Sequence, residues 1–159
     1  MASAIGIDLG TSNSCVAIAR RGRVDVLANR HDEPITASVV HFGADGAVLV
    51  GNQARTRAIH DPEFTVTASK RLMGRYFFSE EVKKARAVCS YKIVEGPNHS
   101  VRVKVRDQAL AVPEISALVL REMKEVAEHR LGHPVTLWRP CFDCYHRLHR
   151  QGSPRNWRL

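Results

Sequence analysis

The chain has 159 residues, the length of about one domain. Its hydrophobic content of 44% supports a buried core and its 25% of charged residues is ordinary for a soluble globular protein, which excludes a composition-driven disordered or fibrous chain. The longest apolar stretches, such as Ala47-Val48-Leu49-Val50, fall far short of the ~18 residues a membrane helix needs. Asp8 comes early, and no basic region precedes a long apolar segment, so the start does not read as a targeting peptide.

The elements begin with short strands and tight turns. Ala4-Ile5-Gly6-Ile7-Asp8-Leu9 is an apolar run ending at Gly10, Ser14-Cys15-Val16-Ala17-Ile18-Ala19 is a second, and Arg21-Gly22 turns into Val24-Asp25-Val26-Leu27. This order predicts an antiparallel meander. Ser38-Val39-Val40-His41-Phe42 and Ala47-Val48-Leu49-Val50 predict another hairpin. Helical signals follow: Asn52 is placed to cap a segment through Ala54, Ala58 and Ile59 that Asp61-Pro62 closes, and the Ser79 hydroxyl to cap a turn rich in Glu80 and Glu81. Tyr91-Lys92-Ile93-Val94 and Val101-Arg102-Val103-Lys104-Val105 alternate as strands around Gly96-Pro97-Asn98. The clearest element is a helix over residues 113–131. Pro113 and Glu114 suit its first turn, Ile115, Leu118, Val119, Met123, Val126, Ala127 and Leu131 fall on one face, and Gly132 and Pro134 stop it.

Beyond Thr136 the pattern breaks. Leu137-Trp138-Arg139-Pro140-Cys141-Phe142 begins like a strand, yet neither helical nor alternating periodicity follows. The formal net charge is +8, and half of it sits in residues 137–159, where Arg139, Arg147, Arg150, Arg155 and Arg158 stand against Asp143 alone. The body is thus only mildly basic, and no nucleic-acid or membrane partner is expected for it. Of four cysteines, Cys141 and Cys144 lie in this tail. With no secretory signal, reduced thiols in a cytoplasmic protein are expected, and Cys15, in an apolar run, reads as a small core residue.

The first site candidate is Gly6-Ile7-Asp8-Leu9-Gly10-Thr11-Ser12-Asn13-Ser14. An acidic residue at the end of a buried strand, followed by a Gly/Thr/Ser turn, can offer backbone N–H groups and hydroxyls to a phosphate chain, with the carboxylate holding a hydrated magnesium ion. An ordinary hairpin with a polar turn is the alternative for these residues alone.

The same segment, extended to Cys15-Val16-Ala17, resembles the first phosphate motif of the seventy-kilodalton heat-shock chaperone family, heat shock protein 70. Two further segments are similar to that family in the same order: Ser69-Lys70-Arg71-Leu72-Met73-Gly74-Arg75, its lysine-bearing segment, and Pro113-Glu114-Ile115-Ser116-Ala117 through Leu131-Gly132-His133-Pro134-Val135, its helix and the turn after it. The resemblance covers residues 4–136. Ile35-Thr36-Ala37-Ser38 stands where the family usually has Thr-Thr-Pro-Ser. The resemblance implies an α/β fold, the first lobe of an actin-like or ribonuclease H-like ATPase, with ATP or ADP and magnesium as cofactors. It implies that Asp8 organises the magnesium hydration shell and that Gly10, Thr11, Ser12 and Asn13 form the phosphate turn. Lys70, on its own a solvated surface lysine, would reach the γ-phosphate and orient the attacking water. In the family, ATP hydrolysis drives protein folding and the stress response with unfolded polypeptides and co-chaperones as partners. Residues 137–159 bear no likeness to the family's continuation. The chain is therefore expected to be the first 136 residues of such a lobe with a divergent, disordered basic tail, without the second lobe or peptide-binding domain, inactive in turnover and without those partners. The Ile5 to Leu9 strand would then be left at a partly open edge, because Trp138-Arg139-Pro140 is a poor replacement for a buried strand.

Two rival readings are a sugar-kinase-like ATPase of the same superfamily and a small basic zinc or nucleic-acid module built on Cys141-Phe142-Asp143-Cys144 with His146 and His149. For the tail we hypothesise a reading-frame change near codon 136 followed by an early stop, motivated by the abrupt change in composition. One of the other two frames of the gene is expected to restore the chaperone pattern, and if sequencing shows that neither does, the hypothesis fails.

Overall fold

In Ala4-Ile5-Gly6-Ile7-Asp8-Leu9 every second residue is large and apolar, the period of a strand with one buried face. The computed structural model describes residues 4–20 and 22–141, and there this run is β1 (Ala4–Leu9), with Ile5, Ile7 and Leu9 buried and Gly6 and Asp8 exposed. β2 (Asn13–Arg20) returns antiparallel to it from Leu9↔Ser14 to Ile5↔Ile18, and β3 (Arg23–Val26) follows after the left-handed Gly22, φ 77°. This is the expected meander. β4 (Thr36–Ala37) joins the same sheet through Asn13↔Ala37 and Ser14↔Thr36.

A second sheet holds the expected hairpin, β5 (Val39–Phe42) and β6 (Val48–Val50). It is followed by α1 (Asn52–Arg57), and then β7 (Thr65–Thr67) pairs with the other side of β5. After α2 (Glu80–Val88) comes a third sheet of β8 (Lys92–Glu95), β9 (Val101–Val105) and β10 (Gln108–Ala111), in the order β10-β9-β8. The long helix α3 (Val112–Leu131) leads to β11 (Leu137–Cys141). Among the described residues the fold is a mixed α/β structure.

Both expected side-chain caps are corrected. Gly51, at φ 86°, takes the N-cap of α1, and Asn52 is the first helical residue; its Oδ1 accepts the Ala37 N–H at 3.0 Å instead. α1 also ends at Arg57, short of Ala58 and Ile59. Ser79 does occupy the N-cap of α2, but its hydroxyl makes no capping bond, and the Ser79 carbonyl accepts the Val82 and Lys83 N–H groups. At α3 the expectation holds: the Glu114 carboxylate accepts the Ala111 N–H, and Gly132 ends the helix at φ 71° with its N–H on the Glu128 carbonyl.

α3 is in contact with two separate apolar clusters. Its first half contributes Val112, Ile115 and Val119 to a cluster with Val40, Val66, Val82, Ile93 and Val103. Its second half contributes Met123, Val126 and Ala127 to another, with Ile5, Ile7, Val16 and Ile18 of the first sheet. Met123 is 1% exposed. Truncating such a residue costs about 2–5 kcal/mol, a large part of a typical total stability of ~5–15 kcal/mol.

The open edge expected beside β1 is also corrected. β11 runs parallel to β1 from Ala4↔Leu137 to Asp8↔Cys141, so β1 is an interior strand of the order β11-β1-β2-β3. Half-buried Trp138 packs on the cluster of Ile5, Ile7 and Met123, supplying the apolar contact a strand needs there. Pro140 is tolerable because, among the described residues, β11 is an edge strand, and every second N–H of an edge strand points away from the ladder. The rest of the expected tail, residues 142–159, lies outside the described residues.

One buried polar network joins β5, β7 and the loop between α1 and β7. The Thr65 hydroxyl donates to the Asp61 carbonyl at 2.8 Å, so it accepts from His41 Nδ1–H at 2.9 Å. His41 Nε2 then faces the Asp61 carboxylate at 3.9 Å, and Asp61 is paired with Arg106 at 2.7 Å. Burial holds the His41 imidazole below its ordinary value of 6.5; Asp61 and Asp45 oppose this, and Arg57 and Arg106 reinforce it. The unfolded chain therefore takes up a proton at His41 first. Its contribution to stability is complete above about pH 6.5 and is lost as pH falls toward the folded value. Melting temperatures measured from pH 7.5 to 5 are expected to fall more steeply for the parent than for His41→Gln; equal slopes would overturn the assignment.

Candidate functional site

The turn between β1 and β2 is built by close approach. A Cβ on Gly10 would stand 2.1 Å from the Asn13 carbonyl oxygen, so the chain closes this way only with glycine at position 10. Thr11 is half-buried, whereas Ser12 and Asn13 are exposed. Among the described residues, neither the Thr11 nor the Ser12 N–H makes a backbone hydrogen bond. The turn's carbonyls are engaged instead: Gly10 accepts the Ser38 hydroxyl and Ser12 accepts the Ser38 N–H, each at 2.9 Å. The Ser14 and Ser38 hydroxyls also lie 2.9 Å apart.

Asp8 is at the end of β1 on the exposed face, directly across from Cys15 in β2. Burial, and then the Asp8 carboxylate, push the Cys15 thiol up. Cys15 is thus a neutral neighbour of an exposed acid at neutral pH. Beside them lie the turn's uncommitted N–H groups and the Thr11 and Ser12 hydroxyls, the chemical equipment for an anion accompanied by a hydrated cation.

Lys70 is on a short 3₁₀ turn, Ser69–Leu72, and is half-buried. Leu72 is buried in the same apolar cluster as Leu9, which ties this turn to the end of β1. The preceding Ala68 is held at φ 51° and ψ 29°, a left-handed conformation that disfavours alanine by roughly 1–2 kcal/mol. Asp8, Gly10, Thr11, Ser12 and Asn13 are neighbours at the end of β1 and in the turn after it, and the Lys70 turn is linked to that end through the cluster Leu72 shares with Leu9. Two clefts of about 220 and 240 Å³ lie elsewhere, and neither is lined by these residues. Phe142, Asp143, Cys144, His146 and His149 of the rival zinc set lie outside the described residues. Among the described residues no helix is long and apolar enough to cross a membrane.

The sequence reading missed Ser38. Its signal was present in Ile35-Thr36-Ala37-Ser38, but without a fold nothing connected that run to the turn 24 residues or more earlier. Gly10→Ala is expected to push the Asn13 carbonyl aside and cost about 1–3 kcal/mol. An unchanged melting temperature together with unchanged Thr11 and Ser12 amide resonances would contradict that geometry.

A family model described as Hsp70 protein matches residues 4–140. The match includes Asp8, the turn 10–13, Lys70 and all of α3, and it continues past Thr136 through most of β11. It covers well over half of the chain, and the chain belongs to the Hsp70 family, whose members are chaperones.

Proposed function

We propose that this chain binds the phosphate chain of ATP or ADP with magnesium at the turn between β1 and β2, within an actin-like, ribonuclease H-like ATPase lobe. The observation that carries the reading is exposed Asp8 beside a glycine-closed turn whose Thr11 and Ser12 N–H groups are uncommitted. Those donors suit phosphate oxygens, as do the Thr11 and Ser12 hydroxyls, and Asn13 completes the turn. Magnesium, when bound, neutralises charge on the β- and γ-phosphates. Asp8 would hold the ion, through its water shell given that ion's reluctance to dehydrate. Lys70 is assigned to the γ-phosphate and to orienting the attacking water, an electrostatic role that needs no covalent step.

In the cell this chemistry would serve ATP-dependent protein folding in the cytoplasm, with unfolded polypeptides and co-chaperones as partners. Family membership supports that setting. The residues named here hold only the phosphate end of the nucleotide, so the affinity they confer is expected to be modest. Calorimetric titration with ATP should show binding that requires magnesium, and Asp8→Asn and Thr11→Ala should each weaken it about tenfold, the loss of one charge-assisted contact. Tight binding that is indifferent to Asp8 and to chelation of magnesium would overturn the proposal.

A further inference from the structure

The peptide plane gives Ser38 a role that no contact with a ligand would reveal. In a trans peptide the C=O and the following N–H point in opposite directions. The Ser38 hydroxyl draws the Gly10 carbonyl toward β4, which turns the Thr11 N–H away from it. The Ser38 N–H draws in the Ser12 carbonyl. The Ser14 hydroxyl completes the contact at 2.9 Å. Ser38 is itself 6% exposed, so water competes little for these bonds.

The brace continues behind Ser38. The neighbouring Ala37 N–H donates to Asn52 Oδ1 at 3.0 Å, and the Gly51 N–H donates to the Val39 carbonyl at 2.9 Å. The start of α1 therefore holds the backbone on both sides of Ser38. Asn52 also donates to the Glu33 carboxylate, whose other partner, Asn29, organises the loop before β4. In this way a fixed helix end sets the position of Ser38, and Ser38 sets the turn.

We infer that Ser38 is a positioning residue for the phosphate turn: it fixes the Gly10 and Ser12 carbonyls so that the turn is ordered and the Thr11 N–H is presented to a phosphate before any ligand arrives. This inference rests on the reading of the turn as a phosphate site. Preorganisation of this kind acts on affinity by removing the ordering cost from the binding step. Ser38 itself need not touch the nucleotide.

The test uses the full chain, with Ser38→Thr and Ser38→Val as a pair of nearly equal shape that differ in the hydroxyl, and Asn52→Ala as a change remote from the turn. Two quantities are measured. One is the NMR order parameters of the Thr11 and Asn13 amides without nucleotide, and the other is the affinity for magnesium-ATP by calorimetry. Ser38→Val is expected to lower both order parameters and weaken magnesium-ATP about five- to tenfold relative to Ser38→Thr. Asn52→Ala should shift both in the same direction by less. If Ser38→Val keeps the order parameters of Ser38→Thr, the inference is wrong. It is equally wrong if the turn loosens and affinity does not change. Should the parent chain fail to bind magnesium-ATP, the nucleotide reading falls, and the order parameters alone still decide whether Ser38 holds the turn. Should Ser38→Val fail to fold, the Asn52→Ala order parameters decide: unchanged values there overturn the brace.

Discussion

The structure depends on one helix serving two cores. α3 carries a single apolar stripe, but Val112, Ile115 and Val119 close one cluster while Met123, Val126 and Ala127 close the other. A helix of 20 residues spans about 30 Å, long enough to reach both. The sheet of β8, β9 and β10 and the sheet of β1 and β2 are thereby fixed relative to one rigid rod rather than through flexible loops. Leu9, the last residue before the turn, belongs to the first cluster, whereas Ile5 and Ile7 of the same strand belong to the second. β1 thus runs from one core to the other, and the candidate site begins where it ends.

The site itself follows from geometry more than from charge. Gly10 removes a steric barrier, Ser38 takes up the carbonyls, and what remains available is a set of donors beside Asp8. Each part is ordinary alone. Together they make a surface that suits an oxygen-rich anion with a hydrated cation, on a sheet whose opposite face is packed against α3.

Much of this was legible in the sequence because period and punctuation agreed. The alternation of β1 and β2, the hairpin of β5 and β6, and the stripe, Pro113 and Gly132 of α3 all gave local signals that tertiary packing then respected. Asp8 and the Gly10 to Asn13 turn could be singled out as a candidate because they are contiguous. What escaped was non-local. β7, of three residues, is a strand only because β5 offers it an edge. Asn52 had a capping residue's chemistry, but the Ala37 N–H, 15 residues earlier, claimed its oxygen. β11 looked unfit because of Pro140, and that judgement assumed an interior strand, whereas among the described residues it is an edge on which Trp138 supplies the packing. Ser38 reaches back across 24 to 28 residues, a distance that no periodicity reports.

The bond between Ala37 and Asn52 makes two positions thermodynamically inseparable. Proline has no N–H, so a chain with proline at position 37 offers Asn52 no donor there. In that background the amide of residue 52 has lost one of its reasons to be an amide, and replacing it would cost less than in this chain. A double-substitution cycle over the two positions would then be strongly non-additive, as for residues that share a bond. Position 37, where the resembled pattern has proline and this chain has alanine, is therefore coupled energetically to the first residue of α1.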